Sequence, residues 1–314
     1  MGTNMEPSTS SIHGRPVHWN FVGKLIDNPI IAKELKGRMR GRQGFVILSV
    51  YLLLLSVVIG GMYLYSINNG NISRTSPNSL QAIGKLVFNT VVMLELLMIA
   101  FIGPALTSGA ISSERERGTF DLLRTSLLSS RALVLGKLGS VIIYLLLLIF
   151  TALPLQSLAF FLGGVGMAEM VISIVILAVS AFLFCTLGLY FSSMAKRTLI
   201  ATVLSYTSMI LPVTILVFLF YLLVDSGLDI SSLSIEDQGV VLTILWVLFS
   251  TNPFTASLIS QLMLVEEQSL FLIYPPDFSL VLFSPWIIYV IFAVTMTALM
   301  IWLIVLYLDR YEPK

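Results

Sequence analysis

Cysteine occurs once in the chain, at Cys185, so no disulfide can form within it and thiol redox chemistry is not expected. Histidine is almost as scarce. His13 and His18 both sit in the polar N-terminal stretch, and no HExxH, GxSxG, cysteine cluster or Gly-Lys-Ser/Thr phosphate loop occurs anywhere. These absences exclude metal- or histidine-dependent catalysis in the apolar part of the chain and leave it without a nucleotide site of its own. The chain is therefore expected not to be an enzyme and to bind no cofactor itself. Charged side chains make up 11% of the residues, against about 25% in an ordinary soluble domain. The net charge of +1 names no partner, and nothing points to nucleic acid.

What is present is apolar. Hydrophobic residues reach 57% and the mean hydropathy is +0.94, the composition of a polytopic all-α membrane protein. The 314 residues leave room for several spans of about 20 residues each and for no further soluble domain of ordinary size. Residues 1–20 are polar and lack the apolar core of a signal peptide, so a disordered tail is expected there. Residues 21–43 form the first organised segment. Asn28 and Pro29 suit a helix start, Ile31, Leu35 and Met39 recur at helical steps, and Lys33, Glu34, Lys36, Arg38, Arg40 and Arg42 crowd the other positions. Such a helix lies in the membrane interface with its bases toward anionic lipid head groups.

The remainder, 44–314, reads as six spans: Gly44–Ser66, Leu86–Ile111, Leu133–Leu162, Ala168–Met194, Leu199–Val224 and Pro285–Leu308. Ile67–Leu80 reads as a loop, and Lys137 as a base that snorkels to the interface at the start of the third span. Between spans five and six, two apolar runs, Gly239–Ser250 and Phe254–Val265, flank Asn252–Pro253; they are one broken span or a paired re-entrant or surface-lying hairpin. Charge favours the hairpin. With six spans, sixteen of the eighteen Lys and Arg residues fall on one side, leaving Arg74 and Lys85, while residues 225–284 carry acids and no base. By the positive-inside rule both termini are cytoplasmic and the hairpin is outside.

Two features stand out against this apolar background. Ser112–Arg131, SSERERGTFDLLRTSLLSSR, is a dense polar insert between spans two and three. Ser112 or Ser113 can cap a helix start, Glu114 and Glu116 favour its positive end, and Phe120, Leu122, Leu123 and Leu127 supply an apolar face, so a short amphipathic docking helix is expected. The other is Glu95, the one acid buried in a span and roughly 13 Å in from the outer end of its helix. It reads either as a helix-fastening group, with Asn89 as one available partner, or as a cation-coupling site. Gly103, Pro104, Pro154 and Pro212 read as packing or kink residues.

The basic NPIIAKELKGRMRGRQG helix before the first span, the ISSERERGTFDLLRTSLLSSRALVLGKL stretch after the second, and the hairpin before the last together resemble the membrane permease subunit of type-2 ATP-binding-cassette exporters. The resemblance implies that residues 21–43 are the elbow helix. It further implies that Glu114, Arg115, Glu116, Arg117, Gly118, Thr119, Phe120, Asp121, Leu122, Leu123 and Arg124 form a coupling helix over 113–124 that inserts into a separate cytosolic ATPase. On that reading Glu114, Arg115, Glu116, Arg117 and Arg124 pair with the ATPase, and Phe120, Leu122 and Leu123 fill its groove. A second permease chain, the same or related, completes the path in the plasma membrane, and ATP and Mg belong to the ATPase subunits. Two other readings compete: a secondary transporter driven through Glu95, and a membrane anchor that recruits a soluble partner and transports nothing.

Overall fold

A computed structural model describes residues 37, 42–68, 77–120, 130–225, 235–266, 270–273 and 281–311. The helices whose bounds fall among the described residues are α1 (Arg42–Asn68), α2 (Pro77–Thr107), α3 (Ser112–Glu116), α4 (Ser130–Phe161), α5 (Met167–Met194), α6 (Thr198–Asp225), α7 (Ile235–Ser250), α8 (Pro253–Glu266) and α9 (Pro285–Tyr311). Six of them are long and apolar enough to cross a membrane, or seven spans result if the bent α7–α8 pair is counted as one. They correspond in order to the six expected spans. Nearly all of the expected tail and interfacial helix, including Lys33, Glu34, Lys36, Arg38 and Arg40, lies outside the described residues; Arg42 is the first residue of α1.

Helix α2 begins earlier than its hydropathy suggests. Residues 77–80, read as loop, are helical, with Pro77 at the first position, where its missing N–H costs no hydrogen bond. Pro104, Pro154 and Pro212 lie inside α2, α4 and α6, and each of these helices continues past its proline. The core is built around α5, which packs chiefly on α2 and α9 and also on α4 and α6. Leu145, Ile149, Ile176, Leu177 and Leu189 are fully buried in this core. In contrast, α1 and α6 turn many large apolar side chains outward, Phe45, Leu53, Leu199 and Val217 among them, as helices facing lipid or another membrane subunit do.

The α7–α8 pair bends by 115° at Thr251–Asn252. Its arms of 16 and 14 residues are about 24 and 21 Å long, each too short to cross a hydrocarbon core of about 30 Å. The Asn252 side chain accepts the Phe254 N–H at 3.0 Å and so starts α8. Leu272–Ile273 (β1) and Leu282–Phe283 (β2) pair antiparallel, a small ladder that the apolar pattern did not announce. Trp246 of α7 donates to Phe283 O at 2.9 Å and Trp286 of α9 to Leu270 O at 2.9 Å, so both indoles fasten the hairpin to the start of α9.

Candidate functional site

The polar insert leaves α2 through a series of hydroxyl-backed turns. Ser108 Oγ meets Thr202 Oγ1 at 2.9 Å, and Ser192 Oγ of α5 accepts the N–H groups of Ile111 and Ser112 at 2.9 and 3.1 Å. Those two amides belong to the donors at a helix start that lack intrahelical partners, so a side chain from another span does the work of a cap. Neither Ser112 nor Ser113 caps α3, contrary to the expectation above. The position before α3 is Ile111, which has no side-chain cap, and both serine hydroxyls donate backwards, Ser112 Oγ to Ser108 O at 2.8 Å and Ser113 Oγ to Gly109 O.

Helix α3 is only 5 residues long and ends because Gly118 takes φ +67, a left-handed conformation that closes a helix and that other residues adopt at a cost. A continuous helix over 113–124 is therefore not what the chain forms: the segment breaks at Gly118. Asp121, Leu122, Leu123 and Arg124 lie outside the described residues.

The charges of the turn reach three different spans. Lys137 of α4 is buried and donates to Glu114 Oε1 at 2.7 Å and to Ala110 O at 2.7 Å. It does not snorkel outward, because a carboxylate and a carbonyl are within reach inside. Arg115 donates to Ser193 O at 2.7 Å and to Ala195 O at 3.4 Å, at the C-terminal end of α5, where a cation suits the helix dipole. Its guanidinium stands 5.3 Å from the centre of the Phe120 ring. Glu116 accepts from the Thr198 N–H and the Thr198 hydroxyl, both at 2.9 Å, at the N-terminus of α6. Each of three consecutive charged residues thus holds a different helix.

Only part of the outward-facing set read from the sequence faces outward. Glu114, Arg115 and Glu116 are engaged within the chain, and Phe120, expected to project as an anchor, is 6% exposed. Burying the ring costs nothing polar, and the Arg115 guanidinium covers it. Arg117, Gly118 and Thr119 are exposed, as are Arg131, Lys196 and Arg197 nearby. This end of the bundle therefore presents a cationic surface over an internally braced turn. Sequence reasoning missed Lys137, Ser192, Ser193 and Thr198 as parts of the site. The Ser192–Ser193 pair and Thr198, flanking the Lys196–Arg197 link, were the available signal.

Glu95 lies elsewhere, on the buried face of α2. Its Oε2 accepts from Gln156 Nε2 of α4 at 2.9 Å, while Glu95 Oε1 and Gln156 Oε1 have no hydrogen-bond partner among the described residues. The partner is Gln156 and not Asn89, which lines a cavity on the surface. Replacing Glu95 by Gln preserves the acceptor and adds a donor, whereas Glu95→Ala strands the Gln156 amide at about 1–3 kcal/mol. Glu95→Gln is therefore expected to melt within a degree or two of wild type and to transport normally, and Glu95→Ala to melt earlier. Loss of transport in a well-folded Glu95→Gln protein would instead make the carboxyl proton functional.

A family model for the ABC-2 family transporter protein matches residues 28–308. No curated protein matches the chain. The matched region takes in the first five described spans, all but the last residues of the sixth, the braced turn and the bent pair. With six helices able to cross a membrane and this match over most of its length, the chain belongs to the ABC-2 transporter family as a multi-pass membrane permease.

Proposed function

We propose that this permease forms the translocation path of an exporter driven by a separate ATP-binding-cassette ATPase that docks on the turn between α2 and α4. The observation that carries the reading is the bracing of that turn to α4, α5 and α6 through Glu114, Arg115 and Glu116. A push delivered there moves three spans together, which is what a transmission element requires. The exposed Arg117, Arg131, Lys196 and Arg197 support placing this end in the cytoplasm, with both termini and the plasma membrane as setting. They also suit an acidic rim on the ATPase, where exposed charges set orientation and partner choice. ATP and Mg are held by the ATPase, and this chain hydrolyses nothing. A second permease chain packs on the outward apolar faces to enclose the path.

Co-purification of the detergent-solubilised chain with its ATPase tests the docking, and reconstitution with and without ATP tests the transport. Arg117→Glu changes an exposed side chain and is expected to weaken ATPase capture about tenfold at low salt without altering stability. Phe120→Asp puts a charge where the ring is buried and is expected to abolish capture by displacing the turn. ATPase bound equally by wild type and both variants places docking elsewhere. ATP-independent transport removes the exporter reading.

A further inference from the structure

At the end of the bundle away from the braced turn, α2, α5 and α8 enclose a cavity of about 340 Å³. Four polar side chains line it: Lys85 and Asn89 of α2, Glu169 of α5 and Gln261 of α8. Lys85 has no ion-pair partner among the described residues, and the Glu169 carboxylate uses one oxygen to accept the Gly166 N–H at 3.1 Å. Opposite charges thus face one space without meeting. Gln261, 5% exposed, donates to Ser173 and Ser257 at 3.3 and 3.2 Å, and these bonds fix its amide and leave its Oε1 buried with no partner among the described residues. Opposite charges held apart over one space suit a ligand that carries both signs.

Asn89 also borders a second cavity of about 460 Å³ that continues along α2, where Met93, Leu94 and Leu97 face Phe254 of α8. From Lys85 to Leu97 the helix advances about 18 Å, close to half the hydrocarbon thickness of a bilayer. Both charged side chains of this track, Lys85 and Glu169, lie at one end, and Met93, Leu94, Leu97 and Phe254 line the other.

We propose that the track binds a phospholipid with a zwitterionic headgroup. Its phosphate lies against Lys85, its ammonium lies against Glu169, and an alkyl chain runs along Met93, Leu94 and Leu97. The separation of Lys85 and Glu169 favours a headgroup carrying both signs over an anionic one, because a lone phosphate leaves the carboxylate unmatched. The site stands on its own residues and does not depend on the direction of transport.

The test measures retention of lyso-phosphatidylethanolamine and of lyso-phosphatidylglycerol by the full chain in detergent, using native mass spectrometry. Wild type is expected to hold the ethanolamine lipid about tenfold better. Lys85→Met and Glu169→Gln, which keep the aliphatic stem and the Gly166 acceptor, are each expected to weaken it about tenfold. Lys85→Glu is expected to lose it and to gain dodecylammonium, a switch that misfolding cannot imitate. Equal retention of both lipids, unchanged in all variants, overturns the proposal in favour of unspecific annular lipid. Efficient disulfide capture between copies of Asn89→Cys also overturns it, since a second copy then covers the track.

Discussion

Glu114→Gln is expected to destabilise the protein sharply, by about 3 kcal/mol, because it removes the carboxylate paired at 2.7 Å with the buried Lys137 ammonium. Breaking a fully buried pair costs about 3–5 kcal/mol. The lower end applies here, since the Glu114 side chain is 25% exposed and Lys137 keeps its bond to Ala110 O. The double variant Glu114→Gln/Lys137→Met removes both charges and is expected to recover most of the lost thermal stability in detergent. It still lacks the tie from the turn to α4, so its ATP-driven transport is expected to stay well below wild type. A double variant as fragile as the single one would show that the remaining ammonium charge is not the cause. A stable double variant that transports at the wild-type rate would show that this tie is dispensable for transmission.

Gly188→Val is the second substitution with a large expected effect. A Cβ at Gly188 of α5 falls 2.1 Å from Thr107 Oγ1 and 3.0 Å from Pro104 Cα of α2. The Thr107 hydroxyl is already committed to Gly103 O at 2.9 Å, and the Pro104 contact is backbone, which cannot swing aside. Small residues permit such close approach between membrane helices, and overpacking typically costs about 1–3 kcal/mol even for modest insertions. Valine is expected to exceed that range and to push α5 away from α2 just above the turn, seen as loss of the monodisperse peak in size exclusion. Gly188→Ala/Thr107→Ala relieves the side-chain clash but leaves the backbone one, so a partial recovery is expected over Gly188→Ala alone. A Gly188→Val protein with an unchanged melting temperature would refute this account of the α2–α5 packing.

The spans were legible because uncharged runs of about 20 residues have few other stable uses. The first span through the last fall where hydropathy places them, and the break at Asn252–Pro253 separates α7 from α8 as its residues suggest. The start of α2 was not legible, since the polar residues after Pro77 look like loop unless the helix is known to extend beyond the hydrocarbon. The turn was legible as a location and not as a mechanism. Its charges were visible, but Lys137 is 23 residues from Glu114, and Ser193 and Thr198 are 78 and 82 residues from Arg115 and Glu116. No local periodicity encodes partners at such separations. The helical break at Gly118 was not read from the sequence, because a lone glycine is tolerated inside a helix and its left-handed φ shows only in the fold.

The bond between Glu95 and Gln156 has a consequence for biogenesis. It joins α2 and α4, which carry the second and third apolar spans in chain order, and each side chain alone is expensive to leave in hydrocarbon. A helix pair that satisfies its polar groups mutually enters lipid more readily than two separate helices. The two spans are thus suited to leave the insertion machinery together, with α5 then packing against a preassembled pair.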